Sequence, residues 1–352
     1  MKTLTLNLIA LLIALPALAG NGDGECKKGK YTREKKISKA YIVNSNAGLS
    51  VDNQFGSIYV TTWDEDKTQI EVLIKVSGNN EDKVNKRLET IDVDIEATKS
   101  LVSAKTRIGN MSGNNLSMEI NYTIKIPKKG GIDLDNQYGS IITGKIYGKA
   151  DIDVQYGDLN IDELNHEANS IEMQYSGSAK INYIKNGNVD AQYSGFNLGK
   201  AGSLIVKSQY TGVTIGEIGE INYKTEYGDV KIGKAGSVTG AGDYSAMRFG
   251  YISSQLNVTA NYGDIQVGGL GSGVKHAAIN ATYTNVVISY SEGTPFDFEF
   301  NLEYGNLRGA SGLKFTERSE KDNKAHYKGY YIKPGVNRIY IKNEYGDINL
   351  KS

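Results

Sequence analysis

The chain has 352 residues, and its 40 basic and 40 acidic side chains cancel without forming any run of five like charges. That balance argues against a nucleic-acid partner, which would require a basic face. Abundant glycine (41) and tyrosine (24), against four prolines, one tryptophan and one cysteine, point to an all-β protein with no intrachain disulfide.

In chain order, Lys2 precedes the apolar run Leu8 to Leu15 and the small-residue site Ala17-Leu18-Ala19. This predicts a signal peptide over 1–19 and export to the periplasm, the outer-membrane surface or the medium. No later segment approaches the roughly 20 apolar residues of a spanning helix. Cys26, in the polar stretch Asp23-Gly24-Glu25-Cys26, lies beyond the cleavage site and reads as a free thiol in a flexible leader. Lys27-Lys28 and Lys35-Lys36 belong to the same polar leader. Strict alternation over Ile70, Val72, Ile74 and Val76, and again over Met118, Ile120, Tyr122, Ile124 and Ile126, predicts two half-buried strands. Between them Asn80 is placed to cap a short helix whose Val84, Leu88 and Ile91 share one face. The segment 69–128 reads as a cap inserted between two repeats, and 109–115 as a mobile loop.

The main feature follows. A tyrosine followed by Gly, Ser or Thr recurs at Tyr138, Tyr156, Tyr175, Tyr193, Tyr210, Tyr227, Tyr244, Tyr262 and Tyr283, at intervals of 17 to 21 residues. Tyr304 and Tyr345 extend the series, and Phe55 is an early outlier. A short fixed period over this length means one unit stacked on itself. Four residues before each tyrosine stands an apolar column, Ile152, Ile171, Val189, Val206, Tyr223, Val258, Ile279 and Phe300, with Gly240 the exception. Strand alternation then puts the column two before, and the tyrosine itself, on the same inward face. Three residues after the tyrosine comes a second apolar column, including Ile141, Leu159, Phe196, Val213, Val230, Met247 and Ile265, with Ser178 the exception. Two inward positions an odd distance apart need a bend, which Gly139, Gly157, Gly228, Gly263, Gly305 and Gly346 would supply. Further turns fall at Gly199-Lys200-Ala201-Gly202 and Gly233-Lys234-Ala235-Gly236. Such coils can stack only in parallel. The predicted fold is a single-stranded parallel β-helix, right-handed by connection chirality, with an N-terminal β-rich cap containing one short helix. The domain plan is 1–19 signal peptide, 20–50 leader and first strand, 51–137 first coil plus inserted cap, 138–308 regular β-helix, and 309–352 C-terminal coils and cap with a closing hairpin.

The phrases Asp52-Asn53-Gln54-Phe55-Gly56-Ser57-Ile58, Val76-Ser77-Gly78-Asn79-Asn80-Glu81-Asp82-Lys83-Val84 and Met118-Glu119-Ile120-Asn121-Tyr122, with the Tyr-Gly-Asp repeats, resemble the bacterial adhesin-like β-strand-repeat proteins. These are related to the auto-transporter adhesin head domains and occur in exported proteins of Gram-negative bacteria. The resemblance covers nearly the whole mature chain. It implies a β-helical, adhesin-like protein of uncharacterised function and carries over no catalytic residues. The chain departs from an auto-transporter in ending at Leu350-Lys351-Ser352, without room for a membrane barrel of about eight or more strands.

Candidate sites were weighed by column. Paired carboxylates for glycoside cleavage lie roughly 5 to 9.5 Å apart. The acidic column two after the tyrosine holds Asp158, Asp229, Asp264 and Asp347. Asp158 and Asp229 are about 19 Å apart at strand spacing, and Asp229 and Asp264 about 10 Å. Turn chemistry explains aspartates there without catalysis, so no enzyme activity is expected. His166, His276 and His326 are too scattered to form a metal site, and no cofactor is expected. An inward tyrosine ladder leaves the column just before it facing outward, as Gln54, Gln137, Gln155, Gln174, Gln192 and Gln209, then Glu226, Asp243, Asn261, Thr282, Glu303 and Glu344. Stacked amides can pair along a β-helix as a structural ladder. The candidate binding face within this column is Gln155, Gln174, Gln192, Gln209, Glu226, Asp243 and Asn261. The expected function is a non-enzymatic, exported, adhesin-like binding or scaffolding protein of the cell envelope or surface. Its partner would be cell-surface carbohydrate or envelope protein. The alternatives are an envelope-stress or regulatory accessory protein and a polysaccharide-active enzyme.

Overall fold

The computed structural model describes residues 29–110, 115–335 and 337–351. The expected signal peptide, Cys26 and most of the 109–115 loop lie outside these. From Gly48 onward the chain winds as stacked coils whose equivalent strands pair in parallel, in a register set by the aromatic repeat. Ile171 opposes Ile152 on one side and Val189 on the other, and Val189 opposes Val206. The architecture is the single-stranded parallel β-helix that the period requires, and both apolar columns line its core.

Each coil turns three times. In the strand Gly195–Gln209 the buried side chains are Phe196, Leu198, Ala201, Leu204, Val206 and Ser208. Alternation therefore breaks after Leu198 and again after Ala201, beside Gly199 and Gly202, in addition to the corner at Tyr210. Glycines stack at these corners because the coils approach too closely for a side chain. A Cβ on Gly216 would sit 2.6 Å from the carbonyl oxygen of Gly199, and one on Gly219 2.6 Å from that of Gly202.

Both exceptions in the sequence columns have packing explanations. The corner after Tyr175 holds one extra residue, so Ala179 takes the inward place between Leu159 and Phe196, and Ser178 was never in the column. Gly240 lies opposite Tyr223, whose buried ring occupies the space a Gly240 side chain would need. The Tyr223 hydroxyl donates to Met247 Sδ at 2.7 Å.

The N-terminal end is covered as expected. Strand Lys67–Gly78 lies antiparallel between Tyr31–Ile42 and Leu116–Pro127, and the hairpin of Ile91–Ala97 and Leu101–Ile108 attaches to Gly48–Gln54. Between the cap strands runs the helix Glu81–Glu89. The Asn80 side chain accepts the Lys83 N–H at 3.0 Å, and Val84 is buried. The segment is inserted in sequence but not in space. Strand Ile58–Trp63 pairs with Ile141–Ile146 on its inner side and with Leu116–Pro127 on its outer side, so the Phe55 coil stacks directly on the Tyr138 coil. One correction concerns Lys35 and Lys36. They are not in a loose leader but on the strand Tyr31–Ile42, where Lys35 pairs with Asp92 and Lys36 with Glu71, each at 3.1 Å. Among the described residues that strand has a partner on one side only, and edge lysines discourage further pairing.

At the C-terminal end, spatial order departs from chain order. Strand His276–Thr282 pairs not with Phe296–Glu303 but with Asn337–Glu344, which pairs in turn with Phe296–Glu303. Ile348–Lys351 likewise lies between Asn285–Ser289 and Leu307–Arg308. The last coil in the sequence is thus the second from the end of the stack. Beyond it, the expected hairpin, Leu313–Lys321 with Lys324–Tyr331, pairs antiparallel with Phe296–Glu303 and closes the outer edge.

Candidate functional site: the aromatic ladder

Phe55 and the eleven tyrosines form one continuous ladder, ordered in space as Phe55, Tyr138 and onward to Tyr283, then Tyr345 and finally Tyr304. Successive ring centroids lie 4.6 to 5.3 Å apart with interplanar angles of 3 to 11°. At strand spacing the eleven steps span roughly 50 Å. The ladder is external. Its tyrosines are 44 to 52% exposed, so the expectation that they point inward is wrong.

The reason is local backbone geometry. All twelve aromatic residues have φ between 50 and 61°, whereas none of the glycines that follow them adopts positive φ. The tyrosine itself makes the left-handed turn, and the alternation that would carry it inward ends one residue earlier. A left-handed residue other than glycine costs roughly 1–2 kcal/mol. A stacked aromatic pair returns about 0.5–1.5 kcal/mol beyond its area burial, which is of the same order. The following glycine allows close approach rather than the bend, since a Cβ on Gly139 would overlap the Gly56 carbonyl. Where serine or threonine replaces that glycine, its hydroxyl bolts coil to coil. Ser194 Oγ donates to the Gln192 carbonyl at 2.7 Å and accepts the Ser176 N–H at 3.1 Å. Thr211 repeats the pattern with Gln209 and Ser194.

On one side of the ladder stands the predicted column Gln155, Gln174, Gln192, Gln209, Glu226, Asp243 and Asn261, which is half-buried and stacked in register. It is cross-linked in part. Gln209 Nε2 donates to Glu226 at 3.4 Å, Asn261 Nδ2 donates to Asp243 at 2.7 Å, and Lys224 pairs with Glu226 at 3.0 Å. On the other side the aspartates two after the tyrosine hold backbone of the neighbouring coil. Asp158 accepts the Ser178 N–H at 2.9 Å, Asp229 the Ala246 N–H at 3.2 Å, and Asp347 the Asn306 N–H at 2.9 Å. Asp229 also pairs with Arg248 at 3.3 Å.

Two features of the site were not drawn from the sequence. Three residues before the aromatic, five successive coils place a carboxylate at the same register position, Asp52, Asp135, Asp153, Glu172 and Asp190, before the column turns basic at Lys207 and Lys224. Lys105 pairs with Asp52 at the outer end. Partial burial, and then the neighbouring carboxylates, raise the Asp135 and Asp153 pKa values above the usual aspartate range. Aligning the repeats on the tyrosine exposes this column, but the apolar columns drew the alignment. The second feature is a shallow groove of about 330 Å³ along the glycine side of the ladder, between the rings of Tyr138, Tyr156 and Tyr175 and a floor at Gly157, Asp158 and Gly177.

Fold and ladder together define a β-helical repeat protein that displays a stacked aromatic ridge. The family model described as Toastrack DUF4097 matches residues 46–351, and the chain belongs to that family. This agrees with the resemblance to adhesin-like β-strand-repeat proteins. Among solved structures, the chain is similar to a candidate cell adhesion protein from Clostridium sporogenes, with 12% identity over 90% of this chain and 99% of that one and a TM-score of 0.17. It is similar to a candidate adhesin from Parabacteroides distasonis at 13% identity, over 73% and 93% of the two chains, with a TM-score of 0.30. A candidate adhesin from Bacteroides fragilis matches at 17% identity over 90% and 97%, with a TM-score of 0.20. No curated protein matches the chain. Among the described residues no helix is long and apolar enough to cross a membrane.

Proposed function

We propose that the chain is an exported, non-enzymatic, adhesin-like binding or scaffolding protein of the bacterial cell envelope, acting through the ladder and the polar columns beside it. The observation that carries this reading is the half-exposed aromatic ridge, far longer than the isolated surface aromatics of an ordinary soluble domain. A solenoid supplies a rigid, extended surface on which such a ridge can meet a partner at many points. The corner aspartates, the first candidates for catalysis, are engaged in holding neighbouring coils, which supports a structural role for them. Export is supported by the leader over 1–19.

The test is retention of the purified mature chain on isolated envelopes and surface glycans, alongside Tyr156→Asn, Tyr193→Asn and Tyr227→Asn combined. Asparagine tolerates the left-handed backbone, so the coils should persist. Retention should fall at least tenfold. Retention unchanged in the triple variant, or native protein recovered from the cytoplasm, would refute the reading.

A further inference from the structure

We infer that the glycine side of the ladder, from Tyr138 to Tyr210, is a binding groove for an extended, uncharged, equatorially linked glycan lying along the stack axis. This rests on the binding-module reading above and names its ligand class. The argument begins with three glycines at one position of the repeat. Gly177, Gly195 and Gly212 stand two residues after consecutive ladder tyrosines, where other coils carry Asp158 and Asp229. None of the three has positive φ. A Cβ on Gly195 would lie 3.0 Å from the Gly177 carbonyl oxygen, a close backbone approach, but one on Gly212 would meet nothing within 4 Å and one on Gly177 only Asp158 Oδ1 at 3.4 Å, an ordinary contact. The register from coil to coil is unbroken through Gly195 and Gly212, so no bulge is present there, whereas Gly177 lies in the corner that holds one extra residue. Glycine at a strand position marks a bulge, a bend, a close backbone or an approaching ligand. With the bend made by the tyrosine and open space at Gly212, the ligand remains.

The groove runs from Tyr138 to Gly177; Gly195 and Gly212 take the same repeat position on the next two coils, and Asp229, paired with Arg248, takes it on the coil after. The groove therefore presents a bare floor and a wall of half-exposed phenols repeating at 4.8 to 5.2 Å between Tyr138 and Tyr210. An extended, equatorially linked pyranose chain advances by one ring and one bridging oxygen per residue, close to this pitch. Its hydroxyls could donate to Asp158 and exchange hydrogen bonds with the phenols, and its ring edges could pack on the exposed aromatic surface. A peptide strand is a poorer fit because strand addition needs free backbone groups. The N–H groups of Tyr138, Tyr156, Tyr175, Tyr193 and Tyr210 already donate to the next coil. A polyanion is disfavoured by Asp158 in the groove and by the carboxylate column across the ridge, from Asp135 to Asp190.

Cello-oligosaccharide and linear xylo-oligosaccharide serve as neutral probes in calorimetric titrations of the mature chain, with oligogalacturonate as the anionic control. At least one neutral probe should bind saturably, and the control at least tenfold more weakly. Gly212→Leu and Gly177→Leu should each weaken binding at least tenfold without shifting the thermal midpoint, while Lys39→Ala, exposed on the cap strand Tyr31–Ile42 and outside the ladder, should not. In the unmodified chain the bound probe should protect Tyr156, Tyr175 and Tyr193 from nitration but leave Tyr262 and Tyr283 reactive, a readout that needs no variant to fold. No binding of either neutral probe, binding undiminished in a folded Gly212→Leu, or uniform nitration would overturn the inference. Envelope retention that survives such a result, including retention by a protein partner, would leave the binding-module reading standing. Loss of both would remove the two together.

Discussion

The two ends of the stack solve the same problem in opposite ways. At the N-terminus the chain interrupts itself after the first coil and builds a cap on the outside, so the Phe55 and Tyr138 coils meet as though nothing lay between them. At the C-terminus the last coil enters the interior, and the preceding coil with its hairpin becomes the cap. The difference teaches that stacking order follows from matching columns rather than from position in the chain. The Tyr345 coil, with its left-handed aromatic corner and buried apolar columns, fits between the Tyr283 and Tyr304 coils that precede it in the chain. The outcome for the termini is unequal. Among the described residues Tyr31–Ile42 is an edge strand with one partner, whereas Asn337–Glu344 is held on both sides.

The sharpest test of this contrast is Ile341→Ala. Ile341 is fully buried near the C-terminus, and its truncation should cost about 2–5 kcal/mol in chemical denaturation, as for a central core residue. The backbone amides of Asn337–Glu344 should exchange as slowly as those of Phe296–Glu303, while those of Tyr31–Ile42 exchange faster. Equal fraying at both termini would break the comparison. In the middle of the stack, Tyr193→Ala removes two ring contacts and leaves a strained backbone, at a cost of roughly 1–3 kcal/mol. Tyr193→Gly should cost about 1 kcal/mol less because glycine accepts the left-handed turn without penalty. A glycine variant less stable than the alanine variant would show that the tyrosine does not make the corner.

In the N-terminal cap, Asn80→Ala should destabilise by about 1 kcal/mol, because it leaves the Lys83 N–H without its cap. The loss should appear as earlier local opening of the cap rather than of the coils. The smallest effect has the opposite sign. Asp153 has a raised folded-state pKa, so its ionisation opposes folding. The stability it permits is fully present below the unfolded aspartate pKa of roughly 3.9 and declines as pH rises through the folded value. Asp153→Asn should therefore stabilise at pH 7, by up to about 1 kcal/mol, because it removes a partly buried charge and then its repulsion by the carboxylates of neighbouring strands. Because the side chain is partly exposed, the gain should shrink with added salt. It should vanish in acid, and a gain that persists there would rule out charge repulsion as its source.

Much of the fold was legible because it follows from spacing. The period, both apolar columns, the alternating cap strands and the Asn80-capped helix are direct readings of which residues can share a face. The tyrosine ladder was legible as a column and misread in direction, since strand parity holds only while the backbone stays extended. Nothing in a Tyr-Gly pair announces that the tyrosine rather than the glycine takes positive φ, because the preference for glycine there is intrinsic and the stacking that overrides it is collective. The extra residue that moves Ala179 into the core, and the entry of the Tyr345 coil between Tyr283 and Tyr304, were hidden for a related reason. Both depend on partners in neighbouring coils rather than on local sequence. The carboxylate column from Asp52 to Asp190 was present in the alignment, and only a search for charge along the stack would have singled it out.

The inserted last coil has a consequence for the order in which the protein is made. A ribosome delivers the stack from the Phe55 end, and each new coil finds its platform already waiting, up to Tyr283. The next layer in space is then synthesised after the layer that lies beyond it. The coil of Tyr304 and its hairpin emerge earlier, with no correct neighbour to rest on, and their native place exists only once residues 337–351 have arrived. Completion of the fold is thus tied to the arrival of this one coil, and a molecule without it would lack the layer that joins the cap to the rest.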